Sequence, residues 1–324
     1  MNSRAWQLLR LLADGKFHSG EALGQVLGVS RGTIFNALAE VIDQGIILQR
    51  VRGRGYRLAQ PWCSFDLLEI NRNFGLATGR FQLEILQQAT SSNTELLRRA
   101  SQGAQSGYVL AVELQTAGRG RIGRTWHSGL GNALTFSLLW RFDCGLNALS
   151  GLSLAVGVAI VRALSRLGVS DIGLKWPNDV LTGQGKLAGV LIEAQGDMYG
   201  PSSVVIGIGI NCTLPLNVAR IIDQPATALD QVCVDPPTRN KLLGVLLQEL
   251  AAVLDVFSLN GFSGLRAEWL QYHAQQNLAV QLTMPDGAVI AGVAVGVSDR
   301  GELCLKTDSG LSHYNSGELG GLRD

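Results

Sequence analysis

Cysteine is sparse: Cys63, Cys144, Cys212, Cys233 and Cys304 are scattered through 324 residues with no C-x-x-C spacing. That argues against both a disulfide framework and a zinc site, suits a reducing compartment, and makes a cytoplasmic location the expectation. Long hydrophobic runs are missing too. No apolar run reaches the roughly 18 residues of a membrane span, and MNSRAWQLLRLLADGKF lacks an apolar core followed by a small-residue cleavage site, so no membrane partner is expected. The Walker sequence G-x-x-x-x-G-K-[ST] is absent, which disfavours P-loop chemistry. His18, His127, His273 and His313 have no recognisable nucleophile setting, so a catalytic triad is unsupported. Charge is modest, 16% of residues for a net +1, and 46% of the chain is hydrophobic, which rules out a disordered class. The length fits two or three units, each with its own core.

The small net charge hides an asymmetry: residues 1–60 hold eight Lys or Arg against four Asp or Glu. Apolar residues recur at helical spacing over 4–13. Ser19 can cap a second helix ending at Leu27, and Ser30 a third over 31–43 with Ile34, Leu38, Val41 and Ile42 as its stripe. IILQRV and GYRLA, joined at Gly53-Arg-Gly55, read as a hairpin. Three helices and a basic hairpin describe a winged helix-turn-helix over residues 1–62. The third helix would enter the major groove with Ser30, Arg31, Thr33 and Asn36, while Arg52 and Arg54, with Arg50 and Arg57, reach phosphates. A solvated basic hairpin or a protein-contact module is the alternative. Gly32 is a dissonance, since glycine early in a helix costs up to about 1 kcal/mol relative to alanine.

AQPWCSFD (59–66) reads as a linker interrupted by Pro61. A larger unit follows over about 66–272, with strands expected at YVLAVEL, ALTFSLLW, LAGVLIEA and SVVIGIGIN and helices at 94–101, 147–167 and 238–259. Over 276–324, short strands alternate with turn signals such as Pro285-Asp-Gly287, which suggests a small β-barrel of SH3-like size.

QTAGRGRIGRTW contains Gly118-Arg-Gly-Arg-Ile-Gly123, a literal match to G-x-G-x-x-G, with Asp143 about twenty residues beyond it. A dinucleotide site needs a helix after the glycines to carry the pyrophosphate. Here RTWHSGLGNALTFSLLW, with Gly129 and Gly131, runs into another strand, so the nicotinamide reading fails. What remains is a glycine-rich loop bearing Arg119, Arg121 and Arg124, suited to enclosing a carboxylate or phosphate. An exposed basic turn is the alternative for the loop alone. LKWPNDVL adds Lys175, Trp176, Asn178 and Asp179 around a turn, and GKLAGVLIE adds Lys186 before a strand. Two lysines, an aspartate and an arginine loop are parts of a phosphoryl- or nucleotidyl-transfer site.

SSN (91–93), QTAGRGRIGRTW (115–126), KWPNDV (175–180), GKLAGVLIE (185–193) and GIGIN (207–211), in that order, resemble biotin protein ligase. With the basic N-terminal unit and the small C-terminal one, nearly the whole chain is similar to the bifunctional biotin ligase and biotin operon repressor family. The resemblance implies an α+β chain: a winged helix-turn-helix, a class II synthetase-like mixed sheet with helices, and an SH3-like barrel. It also implies Mg²⁺-assisted joining of biotin to ATP, transfer of biotin to a lysine of biotin carboxyl carrier protein, and ligand-promoted homodimerisation on operator DNA of biotin biosynthesis genes. A ligase without operator binding is the alternative.

By position, the resemblance places Ser91, Ser92, Asn93 and Gln115 around biotin and makes Arg119, Gly120 and Arg121 the loop that closes over carboxylate and phosphate. It gives Lys186 to the biotin carboxylate and the α-phosphate, Asn178 and Asn211 to ATP, and Asp179 to the metal or the incoming lysine. Arg121, Lys186 and Asp179 are the catalytic candidates. Trp126 is either an apolar wall or ordinary core. The chain departs from the family in places: Thr90 and Ser92 stand where the family has an aspartate and a threonine, Ile122 stands where some relatives carry arginine, and SGELGGLRD has an extra glycine before Arg323.

Overall fold

The computed structural model describes residues 1–60, 62–183 and 185–321; Pro61 of the expected linker and Arg323 lie outside the described residues. The chain opens with α1 (Ser3–Leu12), α2 (Gly20–Leu27) and α3 (Arg31–Asp43). Asn2, Ser19 and Ser30 each accept a backbone N–H of the first turn, at Ala5, Ala22 and Thr33, a cap that stabilises a helix by about 1 kcal/mol. Trp6, Leu8, Leu9 and Leu12 of α1 are buried with Ile34, Leu38 and Val41 of α3. β1 (Leu48–Val51) and β2 (Gly55–Leu58) form the expected antiparallel wing, and His18 bridges to Tyr56 beside it. Trp62 of the linker and Leu114 of the next unit complete this core, with Trp62 against Trp6 at a centroid distance of 6.0 Å.

The central unit runs α4 (Leu67–Arg72), β3 (Gln82–Ala89), α5 (Ser92–Ser101), β4 (Tyr108–Gln115), β5 (Ala133–Phe142) and α6 (Leu152–Arg166). It continues through β6 (Ile172–Lys175), β7 (Asp179–Thr182), β8 (Gly185–Gly196) and β9 (Ser202–Asn211), then α7 (Leu216–Ala219), α8 (Leu229–Val232), α9 (Arg239–Asn260) and α10 (Ser263–Gln271). The sheet order is β3-β4-β5-β9-β8-β7-β6. β3 and β4 are parallel, joined through α5, and every other pair is antiparallel.

One face of this sheet is buried by α6 and α9, whose apolar residues form the main core with Phe136, Leu138, Ile206, Ile208 and Ile210. The segments Leu146–Arg166 and Arg239–Asn260 are long and apolar enough to cross a membrane by composition, with mean hydropathy 1.8 and 1.9. Their apolarity lies inside this core, where 61% of an 18-residue apolar stretch of each is buried. Several elements escaped the sequence patterns. β3 is a half-exposed edge strand, β6 and β7 are four residues each, and α10 buries only Leu265 and Trp269.

The last unit comprises β10 (Ala279–Thr283), β11 (Val289–Val297), β12 (Leu303–Thr307), β13 (Gly310–Tyr314) and β14 (Glu318–Gly321), ordered β13-β12-β11-β10-β14. The expected barrel of SH3-like size is an antiparallel sheet that does not close. A barrel closes only when its edge strands pair, and among the described residues β13 and β14 share no ladder. Trp176, fully buried, donates from Nε1 to Gly301 O at 3.0 Å and pins this sheet to the central one.

Candidate functional site

The open face of the central sheet carries a cleft of about 1070 Å³, lined by the arginine loop, the strands β7 to β9, the segment 221–226 and β14. Strand alternation builds its floor. Along β9, Ile206, Ile208 and Ile210 point into the helical core, so Gly207 and Gly209 face the cleft. Those glycines are required by close approach. A Cβ at Gly207 would collide with Asn93 Oδ1, and one at Gly209 would collide with the Trp126 ring. Trp126 is therefore a wall of the cleft, seated on bare backbone.

The arginine loop is a small hairpin on top of β4 and β5. Ala117 N–H donates to Thr90 O (2.8 Å), Trp126 N–H to Gly118 O (2.9 Å) and Gly120 N–H to Arg124 O (2.7 Å). Thr90 thus holds the loop's root through its main chain. Arg121–Gly123 forms the tip, with Ile122 left-handed at φ 52°, a conformation that costs a β-branched residue about 1–2 kcal/mol. Each arginine meets a different wall: Arg119 pairs with Glu193 of β8, Arg121 donates to Asn178 Oδ1 (3.2 Å), and Arg124 pairs with Glu318 of β14.

At the bottom, Lys186 Nζ lies 2.7 Å from Asp179 Oδ1 and 5.9 Å from the centroid of Trp126. The β7–β8 register and its bulge put Lys186 beside Leu181 and Asp179 beside Gly189, so the lysine stem crosses a glycine with room for it. The contact has ion-pair distance without hydrogen-bond direction, and buried Asp179 Oδ1 finds no hydrogen-bond donor among the described residues. Burial holds Arg121 below the usual guanidinium range against the attraction of Asp179 and Glu318, and lowers Lys175 likewise against Asp179. Positive groups are thus crowded into a poorly hydrated pocket, which stabilises an incoming anion.

The structure brings together every residue that the sequence assigned to biotin, ATP or metal: Ser91, Ser92, Asn93, Gln115, Arg119, Gly120, Arg121, Asn178, Asp179, Lys186 and Asn211 all line the cleft. Their availability differs. Asn211 spends Nδ2 on Lys186 O and Thr227 O, and Asn178 spends Nδ2 on Val190 O, so both brace the site. Gln115 Oε1 accepts Ser92 N–H at 2.7 Å. Glu193, which meets Arg119 and Asn93, and Glu318 of the cleft lining, both inside quoted motifs, were not singled out by sequence reasoning, nor was the 221–226 wall. The surplus of three arginines in the loop was the one signal that counter-charges were needed.

At the N-terminal unit, Ser30 caps α3 while Arg31 and Asn36 stay exposed, and Ser30 Oγ lies 3.0 Å from Thr33 Oγ1. Arg52 and Arg54 project from the wing turn. Arg54 and Arg57 lie over the Phe17 ring at 4.5 and 4.7 Å. Arg31, Phe35 and Arg50 to Gly53 border one hollow of about 740 Å³ between α3 and the wing. A Cβ at Gly32 would meet nothing closer than Ser30 Oγ at 3.8 Å, so packing does not explain that glycine.

Three family models match: HTH domain over residues 4–57, biotin/lipoate A/B protein ligase family over 85–211, and biotin protein ligase C terminal domain over 277–319. The chain is 34% identical to the bifunctional ligase/repressor BirA of Escherichia coli K12, covering 98% of this chain and 97% of that one. It is 29% identical to the BirA of Bacillus subtilis over 95% and 94% of the two chains. Among solved structures, the biotin protein ligase from Aquifex aeolicus in complex with biotin and ATP superposes with a TM-score of 0.62 at 28% identity, covering 74% of this chain and 97% of that one.

Proposed function

The chain belongs to the bifunctional biotin ligase/repressor family, and on that premise we propose how its residues carry out the two activities. It is an ATP-dependent biotin protein ligase and a DNA-binding repressor. The observation that carries our reading of the site is the Lys186–Asp179 pair at the cleft floor beneath Arg121. We divide the labour among three units, 1–62, 66–272 and 276–324.

Biotin occupies the end bounded by Ser91, Ser92, Asn93 and Gln115, with its ring system against Trp126. Its carboxylate points to Lys186. ATP lies towards Asn178, Asn211 and the 221–226 wall. The carboxylate oxygen attacks the α-phosphorus, the bond from that phosphorus to the bridging oxygen of the β-phosphate breaks, and pyrophosphate leaves with the electron pair. Lys186 and Arg121 offset the charge of two meeting anions, a role worth about 10²- to 10³-fold per donor.

Asp179 fits a magnesium ion bound mainly through substrate phosphates: Lys186 meets its carboxylate at Oδ1 without a hydrogen bond, and one or two carboxylates suffice for such a site. Among the described residues no cluster of three acidic, His or Cys side chains exists, so a dedicated protein cage is not the form it takes. When bound, the ion supplies further charge neutralisation at the phosphates. Arg119 and Gly120 carry the loop across the adenylate and exclude water until the lysine of biotin carboxyl carrier protein attacks the acyl carbon and AMP departs.

For repression, Ser30, Arg31, Thr33 and Asn36 present α3 to the major groove of the operator, and Arg52 and Arg54 hold the flanking phosphates. Adenylate-bound chains pair as a homodimer. The support is an open edge: no strand among the described residues pairs with the outer side of β8 beyond Gly189, and Met198 and Tyr199 are exposed at its tip. The five free cysteines agree with a cytoplasmic setting.

Incubation with labelled biotin, ATP, magnesium and a carrier domain tests the ligase, and absence of label on the carrier would reject it. A shift assay on promoter DNA of biotin synthesis genes, with and without biotin and ATP, tests repression. A shift that ignores ligand would reject the corepressor role.

A further inference from the structure

The residues at the biotin end form a chain of polar contacts that runs from Gln115, the last residue of β4, to Arg119 of the arginine loop. Gln115 Oε1 accepts Ser92 N–H (2.7 Å); the Ser92 and Ser137 hydroxyls are 2.7 Å apart; Ser137 Oγ lies 2.6 Å from Asn93 Oδ1. Asn93 Nδ2 donates to Glu193 Oε2 at 2.9 Å, and Arg119 Nη2 donates to that same oxygen. Gln115 and Arg119, four residues apart, are thus held to each other through β5, α5 and β8. Ser137 has one proton for two neighbours, so the Ser92 hydroxyl donates when Ser137 turns to Asn93. Asn93 is buried and rigidly seated over Gly207, which makes it a fixed point. Arg119, by contrast, is the most exposed member, with 44% of its side chain accessible.

We infer that Glu193 is a positioning residue for biotin adenylation, acting through Arg119 and Asn93, and that the Arg119 charge answers Glu193 instead of a substrate anion. The inference rests on the biotin ligase reading and deepens it. The glutamate does two things at once. It neutralises the loop arginine nearest the biotin end, leaving the anions to Arg121 and Lys186, and it locks the first limb of the loop to the wall that surrounds biotin. Loop closure and the shape of the biotin end then become one event. A guanidinium aimed at substrate would have no use for a carboxylate shared with a buried amide.

The two roles of Arg119 predict opposite signs. If Glu193 positions the loop, Glu193→Gln raises KM for biotin about fivefold with a smaller change in kcat, the scale of a half-exposed ion pair. Tryptic cleavage after Arg121 and Arg124 in the ligand-free protein accelerates by a similar factor. Arg119→Met, at an exposed position, reproduces both effects, and the double variant is no worse than either single one. A KM that falls or stays at the native value in Glu193→Gln overturns the inference, because that is what freeing a substrate-binding arginine would do. Effects that multiply in the double variant overturn it too. Should Glu193→Gln fail to fold, Arg119→Met decides by the same two readouts. Native protein that makes no biotinyl adenylate would reject the ligase reading instead, and the proteolysis comparison would still judge the latch.

Discussion

Lys186 Nζ stands 2.7 Å from Asp179 Oδ1, in a direction that gives the carboxylate oxygen charge without a hydrogen bond. A pair so arranged holds a cation ready for an anionic ligand while leaving the carboxylate open on its other side. Lys186→Ala is expected to cut adenylate formation by about 10²- to 10³-fold. Pyrophosphate release in the presence of biotin measures it, with the melting temperature as control.

Trp126 on Gly209 gives a steric prediction. Gly209→Ala drives a methyl into the indole, which must shift into the cleft. Overpacking of this kind costs about 1–3 kcal/mol, so biotin affinity measured by calorimetry should drop by about tenfold or more. Unchanged affinity would remove Trp126 from the biotin wall.

The linker is bound by a buried ion pair. Arg239 donates to Glu113 Oε2 (2.7 Å) and Cys63 O (2.6 Å), and Glu113 also accepts Phe65 N–H (2.6 Å). Both side chains are almost wholly buried, at 7% and 5% exposure. Arg239→Met strands a buried carboxylate and should destabilise the protein by about 3–5 kcal/mol, whereas Arg239→Met with Glu113→Leu should recover much of the loss. Chemical denaturation compares the two.

His273 should make stability pH-dependent. Burial holds its imidazole below the usual value of 6.5, with the Gln276 hydrogen bond opposing, and its Nε2 has no partner among the described residues. Below about pH 6.5 the unfolded chain takes up the proton more readily than the folded one. Stability is therefore full above that pH and declines as pH falls towards the folded-state value. His273→Gln is expected to flatten the melting temperature across that window.

Arg52 and Arg54 are assigned to phosphates, so their loss should weaken every sequence alike. Each alanine substitution is expected to lower the slope of log K against log salt by about 1 unit, while Asn36→Ala should change the preferred operator instead. Shift assays over a salt series separate the outcomes.

What could be read from the residues alone was whatever depends on local rules. Caps and apolar stripes located α1, α2 and α3 because each helix follows its own 3.6-residue period. The strand after GRGRIG dismissed a dinucleotide site because the helix such a site needs is a local feature. Motif order then located the arginine loop and the strands that face it, but not the 221–226 wall. Pairing was another matter. Glu193 lies 74 residues from Arg119 and Glu318 lies 194 from Arg124, and no sequence period links them. Whether Trp126 was wall or core hung on which face of β9 carried glycine, which only the β8–β9–β5 register settles. Closure of the C-terminal strands likewise turned on whether β13 and β14 meet, a matter of sheet curvature that alternation along single strands does not encode. Motif resemblance selected the residues that line the site, and long-range packing decided which of their charges remain for a substrate.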